Sequence, residues 1–159
     1  MAHGIEKTDM MLSTLGYSWH RKDTLVETID EQTATPLFFE VIESPLMVNI
    51  DGQLVNMAGY KSLVADHRAV RPDLAPEDQL IPLHIPKDGY KVISNREIFS
   101  VAEKALKEVD ATITSVMTLE SGKKFALSVN LGDNVLNVGL YAGVHFHHRP
   151  LYAAHDAAL

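Results

Sequence analysis

Histidine is the residue type in this chain best placed to do chemistry. His145, His147 and His148 stand together as HFHH. On a strand, His145 and His147 would share one face, two residues apart, and that spacing suits zinc or another transition metal. His155 and Asp156 follow closely enough to complete a ligand set. A His-rich tract is only a compositional signal, however, and the plain reading is an unpatterned tail. Asp66-His67-Arg68 offers an acid, a base and a cation in a row, suited to proton transfer or phosphate contact. Its plain reading is a surface ion pair. Trp19-His20 reads either as a stacking pair or as a tryptophan that anchors the N-terminal arm on the core. Ser13, Ser18 and Ser62 have no pattern that joins them to a histidine and an acid as a hydrolytic triad. The nine glycines are scattered and form no phosphate-binding loop. With no cysteine there is no thiol nucleophile, disulfide framework or cysteine-zinc site. No catalytic residue and no cofactor is assigned.

The elements that would position these residues are clearest between Gly89 and Leu131. Tyr90 to Ile93 reads as a short strand leading into a helix over about residues 95–109. Ser94 is a good N-cap and Glu97 stands three residues on, a capping box. Ile98, Val101, Ala102, Ala105, Leu106 and Val109 recur at helical spacing. Glu103–Lys107 and Lys104–Glu108 are i,i+4 pairs worth ~0.2–0.5 kcal/mol each, so apolar burial must hold the helix in place. A β-hairpin follows. Ile113, Met117 and Leu119 share one strand face, and Phe125, Leu127, Val129 and Leu131 share the next. Matching those faces pairs Leu119 with Phe125 and Glu120 with Lys124 around a Ser121-Gly122-Lys123 loop. A two-residue Ser121-Gly122 loop would instead set Leu119 against Lys124.

Elsewhere the signals are shorter. A helix is expected over Asp9 to Leu15 and a strand over Leu37 to Glu43, broken by Ser44-Pro45. Leu46 to Ile50 and Gln53 to Met57 flank Asp51-Gly52, a strong hairpin signal. Lys61 to Arg71 fits strand or helix. Arg71 to Pro86 holds four prolines and reads as a long loop of the kind used for binding. Gly132-Asp133-Asn134 reads as a turn before a strand over Val135 to Tyr141. The fold class expected is α+β, a mainly antiparallel sheet of hairpins packed by one principal helix. Residues 1–141 would form one domain and residues 142–159 a His-rich tail.

At 159 residues, with 46% apolar and 22% charged, the chain can bury a sizeable core. No apolar run reaches the ~20 residues of a membrane span. The start, MAHGIEKTDMML, lacks the basic and apolar pattern of a signal peptide, which predicts a cytoplasmic location and no membrane partner. A net charge of −7 weighs against broad nucleic-acid binding but leaves room for a local basic groove.

MAHGIEKTDMM followed by Trp19-His20, Tyr90-Lys91-Val92-Ile93-Ser94-Asn95-Arg96-Glu97, and Met117-Thr118-Leu119-Glu120-Ser121-Gly122-Lys123-Lys124-Phe125 occur in that order. Together they resemble the phage/plasmid-like proteins, the domain of unknown function family numbered 932, over roughly residues 1–140. The later Ser-His-Asp-Gly and Arg-x-x-Cys-x-Asn segments of that family are missing, so the resemblance implies a C-terminally truncated or divergent member. It further implies a phage- or mobile-element-derived protein whose pattern is similar to that of phage single-strand annealing proteins, an analogy of fold only. On that analogy a sheet and helix would line a basic groove for single-stranded DNA with aromatic stacking. Tyr90, Lys91, Arg96, Lys123 and Lys124 would line it. Their plain reading is a solvated surface.

Three functions stay open: a non-enzymatic protein of DNA metabolism that binds or anneals single strands; a small acidic regulatory protein that binds a host or phage protein; and a metal-dependent enzyme using His145, His147 and His148. Self-association into a homo-oligomer is compatible with each.

Overall fold

The computed structural model describes residues 6–15 and 25–131. Trp19-His20, the turn at Gly132, the strand expected from Val135 and the whole histidine tail lie outside the described residues. Within them the α+β expectation holds, as two three-stranded antiparallel sheets and two helices.

The first sheet has the order β1-β5-β6, from β1 (Met11–Ser13), β5 (Thr112–Leu119) and β6 (Lys124–Asn130). One face carries Leu12, Ile113, Val116, Phe125, Leu127 and Val129, all buried. Helix α2 (Asn95–Glu108) and the segment 34–38 cover it with Phe99, Ala102, Ala34, Leu37 and Phe38. The Phe38 and Phe99 rings meet at 5.3 Å, tilted by 60°, a favourable aromatic arrangement.

Helix α2 begins as its sequence dictates. The Ser94 hydroxyl accepts from the Glu97 amide at 3.2 Å, and the Glu97 carboxylate accepts from the Ser94 amide at 2.8 Å. Its buried stripe differs from the expected one. Asn95, Phe99 and Ala102 are buried with Ile98 and Leu106 partly so, whereas Val101 is 69% and Val109 63% exposed. The large Phe99 ring, rather than Val101, sets which side faces the sheet. Asn95 is held there by donating to the Leu37 carbonyl at 2.9 Å. No strand forms at Tyr90 to Ile93; the Tyr90 carbonyl instead accepts from the Lys61 ammonium at 2.6 Å.

The β5–β6 register is a correction. Leu119 faces Lys124 and Thr118 faces Phe125, the register of the less favoured loop. The register shifts between Ile113 and Ser115. A bulge at Thr114 inverts the alternation, so Ile113 and then Val116 and Thr118 face the core opposite Val129, Leu127 and Phe125. Period-two reading assumes an unbroken strand and fails across it.

The expected helix over Asp9 to Leu15 is also corrected, because this stretch contains β1. Seven residues are too few to hold a helix alone, and the open edge of β5 captures them. Met11, Leu12 and Ser13 pair with Met117, Val116 and Ser115. Leu37-Phe38-Phe39 is likewise no strand. Short helix α1 (Glu31–Ala34), capped by Asp30, runs into a 3-10 turn at Thr35–Leu37, and the three apolar residues plug the core at 1–5% exposure.

The second sheet has the order β2-β3-β4: β2 (Glu40–Ile50), β3 (Gln53–Asp66) and β4 (Leu80–His84). Asp51 (φ 50°) and Gly52 (φ 85°) make the expected tight turn, with Ile50 opposite Gln53. Ser44-Pro45 does not end β2; the strand continues past a register shift between Pro45 and Met47. Lys61 to Asp66 is strand. The proline-rich stretch yields β4, an edge strand that tolerates Pro82 because one side of it needs no donor. Only the base of this sheet is covered. Leu63 and Ala65 are buried, but every residue from Asn49 to Tyr60 is exposed, which makes residues 45–60 a projecting two-stranded arm.

If this packing holds the fold, Phe99→Ala will cost about 3–5 kcal/mol in urea unfolding, while Val101→Ala will change stability by less than about 0.5 kcal/mol.

Candidate functional site

Two features carry chemistry or recognition: a closed polar cluster at the seam of the two sheets, and the open arm.

The cluster begins with the β5–β6 loop. Glu120, Ser121 and Gly122 have φ of 54°, 59° and 87°, a left-handed run that turns successive amides toward one point. The Asp9 carboxylate occupies that point. It accepts from Ser121 N at 3.0 Å, Gly122 N at 2.9 Å and Glu6 N at 2.9 Å, and the residue is 1% exposed. Gly122 is required: a Cβ there would sit 2.8 Å from the Phe39 ring. On the Phe39 ring in turn lies His67, with centroids 4.6 Å apart. Arg71, also buried, donates to the Thr8 carbonyl at 3.4 Å and forms a two-bond pair with Asp73 at 2.9 and 2.8 Å. The exposed ion pair Lys7–Asp78 closes the same join from outside.

His67 is 3% exposed and neither ring nitrogen has a hydrogen-bond partner; the Thr8 hydroxyl is buried in the same condition. Burial, and then the nearby Arg71 charge, push the imidazole pKa below its ordinary 6.5, against the opposing pull of Asp66 and Asp9. The ring is therefore neutral at pH 7. An acid, a base and a cation meet here, as in proton-transfer sites. Yet the carboxylate is committed to three amides and the imidazole is shut from solvent. The arrangement acts as a clasp between the sheets.

The Asp66-His67-Arg68 motif thus divides. β3 ends at Asp66; in the turn that follows, the Asp66 carboxylate accepts from the Arg68 amide at 3.0 Å and from its guanidinium at 2.9 and 2.6 Å, the surface reading of the triplet, while His67 between them is buried. That pair holds the Asp66 carboxyl down at about 2. The partner that sequence reasoning missed is Asp9, 58 positions earlier in the chain than His67. No local pattern signals it.

The cations proposed for a groove are dispersed in their pairing. Arg96 bonds Glu31 at 2.8 Å and lies 5.4 Å over the Phe38 ring. Lys124 pairs with Glu120 at the hairpin end. Lys91, Lys123 and Tyr90 are exposed. Among the described residues, no group of three or more His, Asp or Glu side chains is placed to hold a metal. His145, His147 and His148 lie outside those residues. Also among the described residues, no helix is long and apolar enough to cross a membrane.

The arm is the second feature. Val48 pairs with Val55 and Ile50 with Gln53, so Val48, Ile50, Val55 and Met57 share one face at 36–51% exposure. The other face alternates Met47 and Leu54 with Asn49 and Asn56. Between Pro45 and Tyr60 the only charged residue is Asp51, in the turn. The signal was present in the sequence as a long uncharged stretch around a hairpin turn, but its exposure was not.

No protein-family model matches the chain, and no curated protein or solved structure shows significant similarity to it.

Two outcomes follow from the clasp. Asp9→Ala will cost about 2–4 kcal/mol in urea unfolding, because it strands buried amides that now meet a charge; Asp9→Asn, with one acceptor left, will lose less. The depressed His67 pKa contributes stability that is complete above pH 6.5 and is lost as pH falls through the lower folded value. The melting temperature should therefore drop as the pH falls below 6.5, and His67→Leu should flatten that drop. Asp66, Asp30 and Glu97 are held below their ordinary values and lose their contributions only in more acid solution.

Proposed function

We propose that this chain acts by binding rather than by catalysis, and that the arm of residues 45–60 docks it onto another protein. The observation that carries this reading is the apolar face of Val48, Ile50, Val55 and Met57, held in solvent on a well-formed hairpin. Isolated apolar side chains on a surface are ordinary; a contiguous apolar face rimmed by polar residues marks an interaction site. At the turn end Gln53 and Asp51 border it. The titratable residues that do converge, Asp9, His67 and Arg71, are buried, which favours a structural role for them.

A second reading has its own support. Tyr90 and Lys91 are adjacent and exposed before α2, and Lys123 is exposed at the β5–β6 loop. An aromatic face beside cations suits single-stranded DNA, as the likeness to the phage/plasmid-like family suggests. Pairing of Arg96 and Lys124 with acids, and the net charge of −7, reduce the attraction to phosphate.

A photo-crosslinking residue placed at position 55 should give a discrete protein adduct in the source cells, and one at Lys104 on α2 should not. Val48→Ser with Val55→Ser should abolish crosslinking from position 57 while shifting unfolding by only about 0.5 kcal/mol per site. Destabilisation beyond roughly 2 kcal/mol would make the arm part of the core and contradict the reading. Anisotropy of a labelled single-stranded oligonucleotide decides the second reading: salt-sensitive binding lost on Lys91→Ala with Lys123→Ala would establish it.

A further inference from the structure

We infer that the join between the two sheets is a latch released by acid: protonation of His67 lets the β2-β3-β4 sheet, arm included, swing away from the body about the bond between Asn95 and Leu37. The latch needs no partner and is independent of what the arm binds.

Connectivity supplies the hinge. The chain leaves the body after Leu37, at the end of the 3-10 turn, and runs through β2, β3 and β4. It returns at Asn95, the first residue of α2. The Asn95 side chain donates to the Leu37 carbonyl at 2.9 Å, so exit and return are tied at one buried point. Among the described residues, the hydrophobic cluster of the body contains none from 39 to 94. Phe39, Leu63, Ala65 and Leu74 are buried outside that cluster. The body can therefore keep its core while the inserted sheet moves, a local opening that costs less than global unfolding.

The ties that latch the far side are weak. The Phe39 ring lies against Gly122. Arg71 reaches the Thr8 carbonyl only at 3.4 Å. The Lys7–Asp78 ion pair is open to water on the Lys7 side, which weakens it. The three amides that Asp9 accepts from, those of Glu6, Ser121 and Gly122, all belong to the body, so that contact survives opening.

His67 is the member of this join that acid changes. It is buried against the Phe39 ring, and among the described residues neither of its nitrogens has a hydrogen-bond partner, nor has the Thr8 hydroxyl. Three charged groups face it. Arg71, from the turn after β3, repels a second cation; Asp66, at the end of β3, and Asp9, from the body, attract one. Asp66 is engaged by Arg68 and Asp9 by its three amides. Arg71 is paired with Asp73, and Glu120 of the β5–β6 loop with Lys124. Burial, then Arg71, prevail and set the folded pKa below 6.5. A ring exposed by opening regains its ordinary value, so acid below pH 6.5 favours the open form. A buried imidazolium without an acceptor is a costly state, and moving the inserted sheet hydrates it while leaving the core intact.

Double electron–electron resonance reads the opening. Spin labels go on Lys104→Cys of α2 and His84→Cys of β4, both exposed sites, in the full chain, which has no other cysteine. At neutral pH one distance should be found. As the pH falls from 6.5 to about 4.5, a second distance should appear while far-ultraviolet circular dichroism holds. Its ratio to the first should rise by up to about tenfold per pH unit, the slope of one proton. Return to neutral pH should restore the single distance. His67→Gln and His67→Leu, neutral throughout, should keep the single distance in acid. In the chain with His67 intact, the ring carbons of His67 followed by NMR should titrate over the same pH range as the distance change. A single distance down to about pH 4.5 overturns the inference, as does a second distance that persists in the His67 variants. Circular dichroism lost together with the distance change overturns it too, because seam and core then open as one unit. A His67 ring that titrates outside the range of the distance change does the same, and decides the case even if neither variant folds.

Discussion

One buried carboxylate organises this protein. Asp9 joins a segment near the start of the described chain to the β5–β6 loop by satisfying three amides. The loop's left-handed run at Glu120, Ser121 and Gly122 is unfavourable for the first two residues without such a partner. In return the carboxylate fixes β1 against the edge of β5, where Thr118 and Met10 exchange bonds. The loop so shaped leaves Gly122 open to the Phe39 ring, and Phe39 carries His67. The contact between the two sheets therefore passes from an ion through amides to two tilted rings in contact. His67 within it keeps two unbonded nitrogens, a cost the fold accepts where the ring must stay neutral to fit.

The legible parts of the sequence were the local ones. A capping box needs two residues three apart, and Ser94 with Glu97 formed as expected. A type I′ turn needs two residues that accept positive φ, and Asp51-Gly52 supplied them. The pairing of Asp66 with Arg68 needs only two residues two apart, the carboxylate accepting from both the amide and the guanidinium. The unread parts depend on distant partners. Thr114 carries no mark of a bulge, yet the bulge inverts every later position of β5. Met11 to Ser13 become strand only because β5 has a free edge. Leu37-Phe38-Phe39 has the composition of a strand and serves as a plug, because a proline-started 3-10 turn delivers it end-on into the core. Asp9 itself resembles any acidic residue until its three amides are located. Of the cations chosen by resemblance, Lys124 meets Glu120, the acid that the expected strand pairing set opposite it, whereas Arg96 meets Glu31, 65 positions away, which no spacing rule signals.

The two sheets divide the work. The β1-β5-β6 sheet with α2 holds nearly all of the core cluster. The β2-β3-β4 sheet roots its base in that body through Phe39, Leu63 and Ala65 and leaves its far end in solvent. A two-stranded hairpin is marginal by itself in water. An arm of this length, apolar on one face and nearly uncharged, gains from a partner what the body does not give it. On the docking reading, the stability of the arm and its function are linked.

The most direct measurement is amide hydrogen exchange of the wild-type chain at low protein concentration, followed from seconds to days. An arm that stands off the core predicts that amides of residues 47–57 exchange quickly. Amides of β5 and β6 should keep the same slow rates throughout. Arm amides as slow as those of β5 and β6 would contradict it, because they would make the arm part of the core.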